Sequence, residues 1–284
     1  MATKLRVDIE PITPAVGAII HGVDLREPLD PETFETLHAA VLKHGALFFR
    51  DQDLTKAQTT AFLKNFGRLT LDPYSAGYQK GIPEDQAVRD YETFNSNAKA
   101  TEFWHVDSSH GDKPANYLSL RALILPESGG GDTCWGSLYA PYEELAEPVR
   151  DMIDRLEARH SDYRTYPLMD KAYLDNLNKG LSNIHPVVRV HPETGRKALL
   201  VNPLWTEKIV GVSELESTSI LNMLYTHAAQ PEFTMRWRWR VNDMVLWDNC
   251  SMQHYAVRDY HGRRTLEKGI IAGERPYGPK GPRH

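Results

Sequence analysis

Seven residues constrain the fold more than any other stretch of this chain: from Met235 to Val241 it reads Met-Arg-Trp-Arg-Trp-Arg-Val. Strict alternation of large apolar and charged residues has the period of a β-strand, so Met235, Trp237, Trp239 and Val241 share a packed face opposite the arginines. A strand with one wet face suits an antiparallel sheet better than a parallel sheet covered on both sides. Asn242-Asp243 then reads as a turn, and Met244–Trp247 resumes as an apolar run, which predicts a hairpin. Ala46–Phe49, Tyr117–Ile124, Pro186–Val190 and Ala198–Val201 are further short runs bounded by turn residues, and Pro192-Glu193-Thr194-Gly195 predicts a hairpin between the last two.

Helical signals lie between these runs. Asp30-Pro31 followed by Phe34, Leu37, Val41 and Gly45 supplies an N-cap, a first-turn proline, an apolar face and a C-terminal glycine. Thr55 with Gln58 forms a capping box ahead of Phe62 and Phe66, and Ser213 with Glu216 forms another ahead of Ile220, Leu221 and Leu224. A third helix is predicted from about Ala140, carrying Leu145, Val149, Met152, Ile153 and Leu156. Strands joined by hairpins, with helices packed outside, predict a mainly β sandwich or barrel. No repeat or linker divides the 284 residues, so one domain over 1–284 is expected, ending in a loose tail at 278–284.

Composition removes several classes of function. The net charge is -5 with basic residues scattered, which leaves no footprint for nucleic acid or an anionic membrane surface. No run approaches the roughly 18 apolar residues of a membrane span, and the N-terminus lacks the apolar core of a signal peptide. Two cysteines, Cys134 and Cys250, cannot staple a chain of this length, so a reducing cytoplasm is the expected compartment and a small molecule the expected partner.

The chemistry centres on histidine. A redox iron that must also hold a bidentate co-substrate and O2 can spare three positions for protein, and two imidazoles with one carboxylate on one face meet that need. Residues i and i+2 of an extended segment point the same way, so His-x-Asp/Glu plus a distant histidine is the local signature. Four histidines carry it: His105 with Asp107, His110 with Asp112, His160 with Asp162, and His191 with Glu193. His191-Pro192-Glu193 falls in the predicted turn, His160 follows a polar helix end, and His110-Gly111-Asp112 reads as a solvated loop. His105 stands apart, flanked by Phe103, Trp104 and Val106, an apolar setting that excludes water. Spacing alone leaves it, and His254 after Trp247-Asp248-Asn249, open as ligands or as ordinary buried histidines. Arg264, ten residues beyond His254, adds a planar guanidinium able to clamp a carboxylate with two prongs.

Over nearly its whole length the chain resembles the taurine dioxygenase family, with its alkylsulfatase and aryloxyalkanoate branches. The residues that carry the resemblance are Trp104-His105-Val106-Asp107, Gly129-Gly130-Gly131-Asp132-Thr133, His185-Pro186-Val187-Val188-Arg189, and Trp247-Asp248-Asn249 leading to His254 and Arg264. It implies a double-stranded β-helix (jelly roll), with His105, Asp107 and His254 holding Fe(II), and Thr133 and Arg264 binding the far carboxylate of 2-oxoglutarate. It implies, too, hydroxylation of a small anionic or amine-bearing substrate by O2, with release of succinate and CO2, in a dimeric or tetrameric enzyme. Asp107 fits hydroxylation, since related halogenases put a small residue there.

Departures from the pattern bear on the substrate. Asp72 and Tyr74 occupy the stretch where taurine users carry a histidine, and Asp72 would repel a sulfonate. Lys268 falls where sulfonate users place a second arginine, Trp205 where they have a phenylalanine, and Ser108 follows Asp107; these five are the expected substrate contacts, and they count against taurine. Two other readings of the same ligands are a non-catalytic metal- and ligand-binding protein and a zinc hydrolase.

Overall fold

The computed structural model describes residues 7–73, 88–94, 103–163 and 180–281. Its largest sheet has eight strands: β1 (Asp8–Pro11), β2 (Ala18–His21), β3 (Ala46–Phe49), β4 (Leu69–Thr70), β5 (Arg89–Phe94), β6 (Tyr117–Ile124), β14 (Met244–Asp248) and β16 (Arg263–Ile271). Their order is β1-β2-β3-β14-β6-β16-β4, with β5 also on β16. All neighbours are antiparallel except β2 and β3.

A second layer is built from three smaller sheets. One joins β7 (Thr133–Ser137) to β13 (Thr234–Trp237) and β15 (Met252–Ala256), in the order β13-β7-β15. Another runs β12 (Thr206–Ile209), β8 (Glu157–Ser161), β9 (Ser182–Pro186), and the third pairs β10 (Val188–Val190) with β11 (Lys197–Leu199). The architecture is the double-stranded β-helix, mostly β with few helices.

Alternation explains how the layers pack. On β3, Ala46 and Phe48 point into a core shared with Trp135, Met235, Trp237, Val245 and Trp247, between the large sheet and the β7 sheet. Leu47 and Phe49 point the other way, against Leu37, Val41, Phe62 and Leu63 of α1 (Pro31–His44) and α2 (Lys56–Lys64). Both helices start where their caps predict: Asp30 accepts from the Glu32 and Thr33 amides, and Thr55 and Gln58 close a reciprocal box. A third core lies under α5 (Glu214–Ala228), capped by Ser213 and Glu216.

Three expectations are corrected. The helix predicted from Ala140 is two, α3 (Tyr139–Glu143) and α4 (Glu147–Ile153), because Pro148 is tolerated in a first turn and not in a helix interior. The run Pro186–Val190 is split, with β9 pairing β8 and β10 pairing β11. The hairpin at Asn242-Asp243 does not form: β13 ends at Trp237 and pairs β7, whereas β14 pairs β3 and β6. The turn crosses between layers, and Val241 is 51% exposed. The alternation had given the inward face of Met235, Trp237 and Trp239 correctly, but a face does not name a neighbour. The Pro192–Gly195 hairpin forms, with Val190 opposite Lys197. Within the stretch expected as a tail, Gly278 and Gly281 form an antiparallel bridge.

Candidate metal and co-substrate site

Backbone pairing brings the two distant histidines together. His105 donates its N–H to the His254 carbonyl at 3.0 Å and accepts from the His254 amide at 2.9 Å, an isolated antiparallel bridge that sets the ring centroids 4.0 Å apart. Asp107, two residues on, turns to the same side. Its Oδ1 lies 3.6 Å from His105 Nε2 and its Oδ2 3.9 Å from His254 Nε2. One ion with bonds of about 2.0–2.2 Å can bridge such separations.

The electrostatics fit a metal. Burial pushes both His105 and His254 below their ordinary range, so the rings are neutral and offer lone pairs. Burial would raise Asp107, but the Lys268 ammonium beside it outweighs this and holds the carboxyl well below its usual range, ionised. His105 Nδ1 lies 2.8 Å from the Phe103 carbonyl, an oxygen that can only accept, so Nδ1 carries the proton and Nε2 faces Asp107 unprotonated. His254 is held by aromatic packing, its centroid 5.0 Å from Trp247 and 6.5 Å from Trp135. The donor set of two neutral imidazoles and one carboxylate is the one Fe(II) takes in 2-His-1-carboxylate sites.

Asn249 anchors the loop that carries Asp107. Its Oδ1 accepts the Asp107 amide at 3.2 Å, while Nδ2 donates to the carbonyls of Asp107 at 3.0 Å and Ala115 at 2.9 Å. Ser108 then turns in the left-handed region at φ 61°, fully buried.

Arg264 and Thr133 also meet. Residues Thr133 and Trp135 of β7 stand opposite Ala256 and His254 of β15, so Thr133 shares a sheet face with the histidine, one step along. Arg264 donates from Nε to the Gly131 carbonyl at 2.9 Å and from Nη2 to Thr133 Oγ1 at 3.2 Å, and Trp239 Nε1 donates to the same hydroxyl at 3.0 Å. Gly131 must be glycine: its φ is 73°, and a Cβ would come within 3.1 Å of Arg264 Cδ. Asp259 accepts the Gly131 amide at 2.9 Å, and Arg236 ties Asp259 to Asp132.

Lys268, one of the expected substrate contacts, lies against the triad, its Nζ 2.8 Å from Asp107 Oδ2. Trp205 is buried and packs against His110, ring centroids 4.2 Å apart and planes tilted by 38°. His110 is itself fully buried rather than solvated, its ring driven down to about 3 by burial despite the charge of Asp107. Asp72 is half-buried just beyond β4, and Tyr74 lies outside the described residues. A cavity of about 220 Å³ adjoins Ser108, lined also by Pro73, Arg68 and Lys113.

The other His-x-acid pairs have structural duties. His160 lies on β8, not at a helix end, fully buried with Nδ1 3.1 Å from Ser109 Oγ. His191 belongs to the β10–β11 turn as its Pro-Glu context predicts. Its Nδ1 accepts the amides of Glu193 and Thr194, and Nε2 lies 3.1 Å from Asp248. Both ring nitrogens are thus engaged, so the nearby trio His191, Asp248 and Cys250 has no imidazole lone pair left for a metal. Sequence reading gave no role to Asn249, Gly131 or Trp239. The glycine run and the Trp-Asp-Asn segment were visible, but their contacts are non-local.

Fold, donor set and relatives define the class: a 2-oxoglutarate-dependent dioxygenase that uses Fe(II) and O2. The chain belongs to the taurine catabolism dioxygenase TauD, TfdA family, which it matches over residues 8–269. It is 34% identical to an alpha-ketoglutarate-dependent sulfate ester dioxygenase of Pseudomonas putida, covering 98% of this chain and 93% of that one. It is 31% identical to the (S)-phenoxypropionate/alpha-ketoglutarate-dioxygenase of Sphingobium herbicidovorans, over 94% and 95% of the two chains. A solved taurine dioxygenase from Burkholderia xenovorans superposes with a TM-score of 0.82 at 34% identity, covering 97% of this chain and 92% of that one.

Proposed function

We propose that His105, Asp107 and His254 hold the iron, that Arg264 and Thr133 receive the far carboxylate of 2-oxoglutarate, and that the enzyme hydroxylates a small organic anion. The observation that carries this reading is the meeting of three buried side chains, two imidazoles and one carboxylate, in a chain that also holds a buried guanidinium in place with a glycine turn and a threonine. Bound iron supplies the oxidising chemistry, coupling decarboxylation of 2-oxoglutarate to oxygen insertion. The chain's own residues orient and exclude water. The Arg264 fork suits a planar carboxylate, the tryptophans at His254 keep solvent from the rings, and Lys268 offers a cation next to the metal carboxylate.

Lys268, with Arg68 and Lys113 at the adjoining cavity, supports an anionic substrate. Asp72, Ser108, Tyr74 and Trp205 complete the substrate contacts, and the acid at Asp72 with the broad indole of Trp205 counts against taurine. Sulfate esters and aryloxy acids, the compounds named for two of the relatives, are the first to try. We read the chain as one oxygenase domain acting in the cytoplasm as a dimer or tetramer, without nucleic acid or membrane. Two free cysteines support a reducing compartment and the net charge of -5 a partner other than nucleic acid; among the described residues no helix is long and apolar enough to cross a membrane.

The test is succinate formation with Fe(II), ascorbate and 2-oxoglutarate across sulfates, sulfonates, aryloxy acids and amino acids. An anaerobic visible spectrum reports whether each compound perturbs the iron–2-oxoglutarate band. Turnover confined to uncharged compounds would refute the anion assignment, and no 2-oxoglutarate turnover under any condition would refute the site.

A further inference from the structure

The two oxygens of Asp107 have different neighbours. Oδ1 faces His105 Nε2 at 3.6 Å, whereas Oδ2 has the Lys268 ammonium at 2.8 Å as well as His254 Nε2 at 3.9 Å. Register explains how the lysine arrives there: β16 sets Lys268 opposite Leu120 of β6, in the layer that faces the β7 sheet. The carboxylate is buried, with 8% of its side chain exposed, and the lysine side chain is 23% exposed. An ionised carboxylate that far from water needs a charged or hydrogen-bonding partner, and a cation at this distance draws one of its two oxygens toward itself.

A carboxylate can give a metal one oxygen or two. Two would occupy a further coordination position, and this enzyme has none to spare, because 2-oxoglutarate takes a pair and O2 another. Asn249 clamps the Asp107 backbone at both its amide and its carbonyl, so the side-chain torsions alone decide which oxygens turn to the ion. Given the triad reading above, on which this step rests, we infer that Lys268 is a positioning residue: it occupies Oδ2 of Asp107 and restricts the carboxylate to one-oxygen ligation. Arg264 and Lys268 of β16 then divide their work. Arg264, held by Gly131 and Thr133, serves the co-substrate, and Lys268 keeps a coordination position open. A substrate anion drawn to Lys268 would compete with that oxygen for the ammonium, so substrate binding and the geometry of the metal's carboxylate are linked through one cation.

The experiment counts metal-bound waters in the absence of substrate, so that any role of Lys268 toward a substrate anion does not enter. The full chain is loaded with Mn(II), and line broadening of its electron paramagnetic resonance in 17O-water reports the number of coordinated waters. K268M is expected to hold one water fewer than wild type, as Oδ2 swings onto the metal, and K268R is expected to restore the wild-type number. K268A, which only removes atoms, is measured alongside so that poor packing of methionine cannot decide the outcome. On adding 2-oxoglutarate, the last water is expected to persist in wild type and to be lost in K268M. Equal water counts in wild type, K268M and K268A would overturn the inference while leaving the triad intact. Failure of wild type to take up Mn(II) would overturn the triad, and this inference with it.

Discussion

Replacing Arg264 by lysine keeps the charge and removes the fork. In the native site Nε serves the buried Gly131 carbonyl at 2.9 Å while Nη2 reaches Thr133 Oγ1 at 3.2 Å, so the guanidinium plane is fixed before any co-substrate arrives. A lysine ammonium cannot serve the carbonyl, the hydroxyl and both oxygens of a carboxylate at once. Loss of one charge-assisted hydrogen bond removes about 1.5–3 kcal/mol. At about 1.4 kcal/mol per decade, R264K should weaken 2-oxoglutarate binding by about 10- to 100-fold. The stranded Gly131 carbonyl costs a further ~1–3 kcal/mol of fold stability, or a drop in Tm of about 2–12 °C at about 2–4 °C per kcal/mol. Anaerobic titration of the Fe(II) protein with 2-oxoglutarate, followed in the visible, measures the first effect, and thermal melting measures the second. If R264K binds 2-oxoglutarate within about threefold of wild type while still holding iron, the fork does not receive the co-substrate and the argument is wrong.

Three further outcomes follow from the geometry. N249A should lose about 2–5 kcal/mol of stability, since three hydrogen bonds go and the buried amide and carbonyl of Asp107 are left unpaired; urea unfolding measures the loss, and Mn(II) affinity should fall with it. R121M should cost about 3–5 kcal/mol by leaving Glu267, 1% exposed, without its guanidinium partner. The double variant R121M/E267L should recover most of that loss, and simple additivity in denaturant unfolding would contradict the pairing. His185 is held at about 4 by burial, first of all, and His160 well below 6.5 for the same reason. Below pH 6.5 the unfolded chain therefore binds protons that the folded chain does not, so stability is full above that pH and falls as the pH drops toward 4. His185 alone should contribute about 2 kcal/mol of the difference between pH 7 and pH 5, and H185N, compared with wild type in metal-free urea titrations, should flatten the profile by that amount.

Some parts of the site were legible because they are local. A capping box needs only the residue three positions on, and α2 and α5 begin where Thr55 and Ser213 say they should. The His105–Asp107 pair could be proposed because an extended segment brings i and i+2 to one side. Its meeting with His254, 149 positions later by number (254 minus 105), rested on resemblance until the antiparallel bridge between the two histidines supplied the cause. The misreadings have the same origin. His110 and His160 looked like loop and helix-end residues because their immediate neighbours are polar, yet both are buried by chain from elsewhere, Trp205 against His110 and Ser109 against His160.

The order of residues alone determined which faces are apolar, where most helices start, and which side chains could serve as ligands, because these depend on periodicity and on neighbours within a turn. Tertiary structure decided which strands became partners: the Met235–Val241 run and Met244–Trp247, adjacent in sequence, went to different layers. It also decided that Asn249 would hold Asp107, that Gly131 would make room for Arg264, and that Lys268 would reach one particular carboxylate oxygen. Those contacts depend on the packing of two sheets, whose register and separation are set by many side chains together and are written in no single stretch of the chain.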